Sequence, residues 1–165
     1  LDEKRRYETL RRLILRHHPR PRLLDAGCGG GRLGASFSSG ELTSYHGVDL
    51  SSEAIAHARE YAPSGSLLEQ ADLEIWTPAA RYDVIVVNEV MGYFHDPAFT
   101  LGRLATALEP EGILIVSLYR WGNAAAIWQR VDRQFRSSDA TVVTNTAGDK
   151  TWDIRILTPF AHPRL

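Results

Sequence analysis

Apolar residues at helical spacing mark the first element of the chain. From Asp2 to His18 they recur every three or four positions among charged side chains, at Tyr7, Leu10, Leu13 and Ile14. This pattern predicts an amphipathic helix with one buried face. Pro19 and Pro21 follow, and a proline cannot continue the helix.

Beyond these prolines, short apolar runs alternate with segments of helical pattern. The run Tyr82–Asn88 (YDVIVVN) is almost continuously β-branched, which is typical of a strand buried on both faces of a parallel sheet. Further strands are predicted at Arg22–Ala26, Tyr45–Asp49, Ser66–Gln70 and Ile113–Leu118. Helices are predicted at Arg32–Phe37, Glu53–Tyr61, Asp96–Leu108 and Asn123–Phe135. This alternation indicates a doubly wound α/β fold, in which a mostly parallel sheet carries helices on both faces.

The chain ends in a different pattern, because apolar and polar residues alternate over Ala140–Asn145 and Lys150–Leu157. The turn-forming sequence Thr146-Ala147-Gly148-Asp149 lies between these two segments. A β-hairpin is therefore predicted, and it would add an antiparallel strand at one edge of the sheet. The 165 residues contain no internal repeat or linker, so a single domain is expected.

Charge and cysteine content narrow the classes of partner. The formal net charge is -1, so neither nucleic acid nor an anionic membrane is expected as a partner. Eight of the 19 basic residues lie in the first 22 positions, either as a solvated helix face or as a surface for a partner or acidic substrate. No apolar run approaches the ~18 residues of a membrane span. The single cysteine, Cys28, suits a reducing compartment, and the cytoplasm is expected. The sequence begins at Leu1 rather than Met, which leaves room for a leader or a preceding domain.

A glycine cluster follows the first predicted strand and precedes a helix. Gly27, Gly29, Gly30 and Gly31 carry no Cβ atom, so the backbone can turn sharply and approach a ligand closely. Ligands of open α/β sheets bind beyond the carboxyl ends of the strands, where this loop is expected. The pattern alone does not separate a dinucleotide site from other ligand sites, and a tight connection without a ligand is the alternative.

Asp49 makes the prediction more specific. It ends the second predicted strand, 22 residues after Gly27, and a carboxylate there can accept hydrogen bonds from both hydroxyls of a ribose. A helix cap is the alternative role, because Ser51 and Ser52 follow and a helix is predicted to begin there.

Five motifs now carry a family resemblance. LLDAGCGGGRLG resembles the first motif of the class I, Rossmann-like S-adenosyl-L-methionine-dependent methyltransferases, and YHGVDLSSEAIAHA resembles their second. QADL, RYDVIVVNEVMGYFHDP and LEPEGILIVSLY resemble the third, fourth and fifth motifs, in the family's order. The likeness extends from about Arg22 to Leu157 and implies seven strands in the order 3-2-1-4-5-7-6.

The resemblance also implies roles in the cofactor site. Gly27 and Gly29 would face the methionine part of S-adenosyl-L-methionine, Asn88 would stand near its ammonium and sulfonium groups, and Asp49 would hold the ribose. Five more residues are implied in the loop and around the adenine ring: Asp25, Cys28, Leu50, Asp72 and Leu73. The product after transfer would be S-adenosyl-L-homocysteine.

The segment Asn88–His95 is where this family presents its methyl acceptor. A hydroxyl or amine acceptor must lose a proton, and imidazole titrates near working pH, so His95 is the first candidate for a general base. Glu89 and Tyr93 are the next candidates. The alternative is that His95 caps the following helix or lies at the surface.

The segment after the fifth predicted strand is a candidate wall for the acceptor site. Residues 119–123, which follow the fifth strand and include Trp121, could form this wall. Trp128 and Trp152 are expected in the core instead, because they lie within a helix and an alternating strand.

No metal site is expected. Metal-assisted methyltransferases carry the sequence E-x-x-E-H near the fourth motif. Here Glu89 matches the first glutamate, but Gly92 and Tyr93 stand at the positions of the second glutamate and the histidine. Residues 1–21 are predicted to form a helix that acts as a lid, through Tyr7, over a cofactor-binding domain at 22–165. A second subunit is the alternative lid, so a monomer or a homodimer is expected.

The sequence therefore predicts a metal-independent methyltransferase that acts on an oxygen or nitrogen atom of a small molecule. Three alternatives stay open. The first is a non-catalytic module that binds the cofactor or its product within a larger complex. The second is an RNA or protein methyltransferase. The third is an NAD-dependent oxidoreductase, against which stand Asp25 before the loop and GCGGG in place of G-x-G-x-x-G.

Overall fold

The computed structural model describes residues 3–160 of the chain. Asp2, where the first helix was predicted to begin, and residues 161–165 of the predicted domain lie outside the described residues. The helices are α1 Lys4–His17, α2 Arg32–Ala35, α3 Ser52–Tyr61, α4 Pro97–Ala105 and α5 Ala124–Val131, with a 3-10 turn at Met91–Tyr93. The strands are β1 Arg22–Ala26, β2 Ser44–Asp49, β3 Leu67–Gln70, β4 Tyr82–Asn88, β5 Leu108–Tyr119, β6 Phe135–Thr144 and β7 Thr151–Pro159.

The seven strands form one sheet in the order β3-β2-β1-β4-β5-β7-β6, which confirms the predicted topology. β1 to β5 run parallel to one another, and β7 runs antiparallel to both β5 and β6. The order reverses between β1 and β4, so the loops after these two strands meet at the carboxyl edge. This is the place where open α/β sheets bind ligands.

Successive residues of the central strands point to two separate cores. On one face, Leu23 packs in a cluster with Leu10 and Ile14 of α1 and with Leu33 of α2. On the other face, Leu24 packs in a cluster with side chains of α4 and α5. Both faces of the sheet are therefore covered, as the β-branched runs predicted. Trp128 and Trp152 are buried, which confirms their predicted place in the core.

Polar side chains cap the first turns of α3 and α4. The Ser51 side chain accepts a hydrogen bond from the N–H of Ala54 at the start of α3. Asp96 accepts from the N–H of Phe99 at the start of α4, with Pro97 in the first turn.

Three helix ends were predicted too far along the chain. α2 ends at Ala35 rather than Phe37, and the other two overshoot into a strand that follows. α4 ends at Ala105, and Leu108 already pairs with Tyr82 at the start of β5. α5 ends at Val131, and Phe135 begins β6 opposite Pro159. In both places the sheet extends into residues of helical pattern, because pairing with a strand distant in sequence satisfies the backbone there. Within residues 3–160, none of the helices combines the length and apolar character that crossing a bilayer requires.

Candidate functional site

The glycine loop lies at the carboxyl edge of the sheet and is bound to the neighbouring strand. The N–H groups of Gly27 and Cys28 both donate to the carbonyl of Val48, at 2.7 and 3.0 Å. Gly27 and Gly29 have φ angles of 85° and 51°, in the left-handed region that favours glycine. The loop is therefore held in a conformation that other residues adopt only under strain.

Close packing explains one of these glycines, and open space surrounds the other. A Cβ atom at Gly27 would stand 2.2 Å from Cγ1 of Val90, so the loop is pressed against the segment after β4. A Cβ atom at Gly29 would meet no atom within 4 Å. The backbone at Gly29 is thus accessible to a ligand.

Asp49 joins the end of β2 to this loop. Its Oδ2 accepts a hydrogen bond from the N–H of Gly29 at 2.8 Å, and its Oδ1 accepts from the N–H of Ser51 at 2.9 Å. Each carboxylate oxygen can accept a second hydrogen bond, so both still have acceptor capacity for a ligand. The glycine loop and Asp49 therefore belong to one site.

A cleft of about 620 Å³ opens beside this contact. Its walls combine the glycine loop and Asp49 with the segments that follow β2, β3 and β4. Six residues predicted from the sequence line it or its mouth: Gly27, Asp49, Leu50, Asp72, Leu73 and Tyr93. The remaining lining residues are Ser51, Ala71, Glu74, Val90 and Phe94. The structure thus brings together most of the predicted cofactor residues around an open space.

Asn88 ends β4 with an unsatisfied polar group. The residue is buried, and its Oδ1 atom makes no hydrogen bond within the described part of the chain. A buried acceptor without a partner is costly, and such groups are usually satisfied by a ligand or ordered water. Together with the open backbone at Gly29, this acceptor fits a cofactor that carries an ammonium group.

Neither Gly29 nor Asn88 is among the residues that line the cleft. Two other predicted residues, Asp25 and Cys28, lie behind the loop and are also absent from the lining. Asp25 is only 1% exposed, and its Oδ2 accepts a hydrogen bond from the Tyr45 hydroxyl at 2.6 Å. Burial raises the pKa of Asp25 to about 7, against the lowering effect of that hydrogen bond. Cys28 is buried against Gly47, and burial raises the pKa of its thiol above the ordinary range. The carboxyl of Asp25 is therefore held largely neutral at acidic pH, and the Cys28 thiol stays protonated.

The three predicted base candidates lie in different surroundings. His95 is 94% exposed at its side chain and does not line the cleft. Its backbone N–H and Nδ1 both donate to the Glu74 carboxylate, at 2.8 and 2.9 Å. The hydrogen bond with Glu74 raises the pKa of His95. Tyr93 is 83% exposed at the mouth of the cleft.

Glu89 follows β4 in a strained conformation, with a φ of 64° that is unusual for a residue other than glycine. Its carboxylate accepts hydrogen bonds from the Ser117 hydroxyl and the Tyr119 N–H, each at 3.2 Å. Burial raises the pKa of Glu89, while the charge of Arg6 lowers it. Glu89 is therefore a part-buried acid, directed toward the end of β5.

Arg6 is a residue that the sequence prediction missed. It is 3% exposed, and its Nη1 lies 3.4 Å from Oε1 of Glu89. Its Nη2 donates to Glu3 and to the Tyr7 hydroxyl, whereas Nε and Nη1 have no hydrogen-bond acceptor among the described residues. The signal was present in the sequence, because Arg6 lies four residues before Leu10 on the apolar stripe of α1.

Among residues 3–160, no group of three or more His, Cys, Asp or Glu side chains is arranged to hold a metal ion.

Comparison with known proteins assigns the family. A profile described as "Methyltransferase domain" matches residues 2–148. The chain is 36% identical over 99 residues to a trans-aconitate 2-methyltransferase from Azoarcus sp. (strain BH72), a match over 59% of this chain and 39% of that protein. It is 34% identical over 101 residues to a ubiquinone biosynthesis O-methyltransferase from Bradyrhizobium sp. (strain ORS 278), over 58% and 39%. The chain thus matches about two fifths of the length of these curated relatives.

Among solved structures, N-methyltransferase NodS from Bradyrhizobium japonicum WM9, in complex with S-adenosyl-L-homocysteine, superposes with a TM-score of 0.81. That match covers 96% of this chain and 88% of NodS at 18% identity, so it supports the fold alone. The family profile, in contrast, spans most of the chain. From the profile match, the topology and the site geometry, the chain belongs to the class I S-adenosyl-L-methionine-dependent methyltransferase family.

Proposed function

We propose that this protein transfers a methyl group from S-adenosyl-L-methionine to an oxygen or nitrogen atom of a small molecule, without a metal. The observation that carries the proposal is the contact between Asp49 and the N–H of Gly29 at the edge of an open cleft. A carboxylate placed to bind the ribose hydroxyls, next to a glycine loop with accessible backbone, suits an adenosyl ligand. The curated relatives named above support a small acceptor, since one is named for trans-aconitate and the other for ubiquinone biosynthesis.

We propose that the nucleoside half binds between the ends of β2 and β3. Asp49 accepts from the ribose hydroxyls, and Leu50 and Leu73 flank the adenine ring. Oδ1 of Asp72 already accepts from the N–H of Glu74, so Oδ2 is the oxygen available to the adenine amino group.

The methionine half then lies along the glycine loop toward β4. Gly27 and Gly29 offer backbone contact, and the unsatisfied Oδ1 of Asn88 accepts from the ammonium group. Nε and Nη1 of Arg6 have no hydrogen-bond acceptor among residues 3–160, although Nη1 lies 3.4 Å from Glu89, and this donor capacity suits the carboxylate of the cofactor. Asp25 and Cys28 lie behind the glycine loop and support it by packing against it. The cofactor supplies the electrophilic methyl group, so the protein has to orient the acceptor and receive any proton.

Of the three candidates for the general base that takes the proton of the acceptor, Glu89 is the best supported. Its carboxylate is part-buried at the end of β4, and burial raises its pKa toward the range of a useful base. His95 is hydrogen-bonded to Glu74, which lines the cleft. We propose that His95 reaches the acceptor only if this hydrogen bond breaks. Tyr93 lies at the mouth, where it can contact the acceptor.

Isothermal titration with S-adenosyl-L-homocysteine tests the cofactor site. Asp49→Ala removes a charged hydrogen-bond acceptor, which is worth about 1.5–3 kcal/mol, so affinity should fall roughly tenfold to a hundredfold. Asp139→Ala on β6 is the matched control, because the side chain of Asp139 lies far from the cleft on the edge strand. Equal affinities of the wild type and Asp49→Ala would refute the proposed role of Asp49.

Methyl transfer itself is tested by incubating the protein with labelled S-adenosyl-L-methionine and small hydroxylated, carboxylated and amine acceptors, with a chelator present. Labelled product is the expected result. Tight binding of S-adenosyl-L-homocysteine without transfer to any acceptor class would favour the non-catalytic binding module instead. Transfer only to RNA or protein would favour the macromolecular alternative.

A further inference from the structure

One wall of the cleft is an irregular segment, residues 72–77. Asp72, Leu73 and Glu74 of this segment line the cleft. The segment belongs to no helix or strand, and its internal bonds form one turn, in which the N–H groups of Ile75 and Trp76 donate to the carbonyl of Asp72. Its other carbonyls therefore need partners from elsewhere in the molecule.

Arg103 of α4 supplies these partners. Its Nη1 donates to the carbonyls of Glu74 at 2.5 Å and Leu73 at 3.4 Å. Its Nη2 donates to the carbonyl of Trp76 at 2.6 Å and approaches Oγ1 of Thr77 at 3.5 Å. Within residues 3–160, Arg103 forms no ion pair with a carboxylate, so its guanidinium is directed to this one segment.

Other contacts fix the side chains of the segment, but not these carbonyls. Nε1 of Trp76 donates to Glu69 at the end of β3, at 2.9 Å. The Glu74 carboxylate accepts the two hydrogen bonds from His95. Without Arg103, the segment would stay tethered at these two side chains, while the carbonyls of Leu73, Glu74 and Trp76 would lose three hydrogen bonds from a charged donor group. The guanidinium geometry matters here, because a planar fork can serve several carbonyls at once.

We propose that Arg103 is a positioning residue, which holds the 72–77 segment in the conformation that receives the nucleoside half of the cofactor. Arg103 does not line the cleft and acts through Asp72 and Leu73. The inference rests on the proposed function for the identity of the ligand. It adds that adenine affinity depends on a side chain of α4 that does not line the cleft.

Titration of adenosine and of S-adenosyl-L-homocysteine against Arg103→Ala tests the proposal. Both ligands should lose about tenfold in affinity, by a similar factor, because the effect falls on the nucleoside half. Arg103→Lys, or a few millimolar guanidinium added to Arg103→Ala, should restore part of the loss. Loss for S-adenosyl-L-homocysteine alone, or no loss for either ligand, would overturn the proposal.

Arg81→Ala is the matched control. Arg81 also donates to backbone carbonyls, those of Thr106 at the end of α4 and Leu108 at the start of β5, but neither residue lines the cleft. It should lower thermal stability to a similar degree and leave the affinity for both ligands unchanged. An equal loss of affinity in Arg81→Ala and Arg103→Ala would mean that Arg103 merely stabilises the fold.

Hydrogen exchange separates this inference from the proposed function. In ligand-free Arg103→Ala, amide exchange should accelerate within residues 72–77 and stay at the wild-type rate in the core strands. Unchanged exchange in that segment would overturn the inference, whatever the ligand proves to be. A different outcome is that the wild type fails to bind S-adenosyl-L-homocysteine while the exchange result is as expected. That outcome would overturn the proposed cofactor, but it would still support the role of Arg103 in holding the segment.

Discussion

The buried carboxyl of Asp25 should make the stability of this protein depend on pH. Asp25 is enclosed beneath the glycine loop, with the Tyr45 hydroxyl as its hydrogen-bond donor. Burial raises its pKa from 3.8 to about 7 in the folded protein. The folded state therefore favours the neutral acid, and the stability that Asp25 contributes is complete below pH 3.8 and lost as pH rises through 7.

The magnitude follows from the width of this pH window. Each pH unit between the unfolded and folded pKa values costs about 1.4 kcal/mol, so the two units from pH 5 to pH 7 cost about 2.7 kcal/mol. Asp25→Asn retains an oxygen that accepts from Tyr45 but cannot ionise. Relative to the wild type, its free energy of unfolding should therefore rise by about 2–3 kcal/mol between pH 5 and pH 8.

Urea denaturation of both proteins without ligand, at pH 5 and at pH 8, measures this difference directly. Other titrating groups contribute equally to both proteins and cancel in the comparison. Tyr45→Phe is a second probe: it removes the hydrogen bond that lowers the pKa of Asp25, so the loss of stability should extend to higher pH. Parallel stability profiles for the wild type and Asp25→Asn would refute the reasoning.

Two further predictions concern the loops around the cleft. Gly27→Ala should destabilise the protein by about 1–3 kcal/mol in thermal or urea melts, because its Cβ would stand 2.2 Å from Val90 at a φ of 85°; a melt equal to wild type would contradict this. Glu74→Gln should lower the pKa of His95 toward 6.5 in an NMR titration, since the hydrogen bond to Glu74 raises it. The His95–Glu74 pair should contribute its full stability between pH 4.5 and pH 6.5, and lose it as pH rises through the raised pKa of His95 or falls through the lowered pKa of Glu74. An unchanged titration midpoint would argue against the pair in solution.

Local pattern was sufficient to predict the strands and the place of the site, whereas the strand order was implied by the family resemblance. The β-branched run of β4 reflects burial on both faces of the strand, and the alternation in β6 and β7 reflects burial on one face. Each of these patterns can be read from the local sequence of the segment. The glycine loop and Asp49 follow adjacent parallel strands. Their proximity is then a consequence of topology, and the bond between Gly29 and Asp49 agrees with it.

Helix ends were less predictable, because neighbouring strands decided them. Leu108 and Phe135 continue a helical pattern in sequence, yet both form sheet with partners that lie more than twenty residues away, Tyr82 and Pro159. Pairing between residues so far apart in sequence produces no pattern in the local sequence of either segment.

By itself, then, the sequence determined the two apolar faces of the sheet and the edge where polar groups collect, since both depend on periodicity and chain direction. The strand order was implied by the resemblance of the five motifs to the family. Only the tertiary structure decided which side chains act at that edge. His95 bonds to Glu74 outside the cleft, Arg6 is buried beside Glu89, and Arg103 holds a segment about thirty residues earlier in the chain. The physical reason is that the orientation of a charged side chain depends on which donors and acceptors packing brings within about 3 Å, and that is a property of the folded molecule.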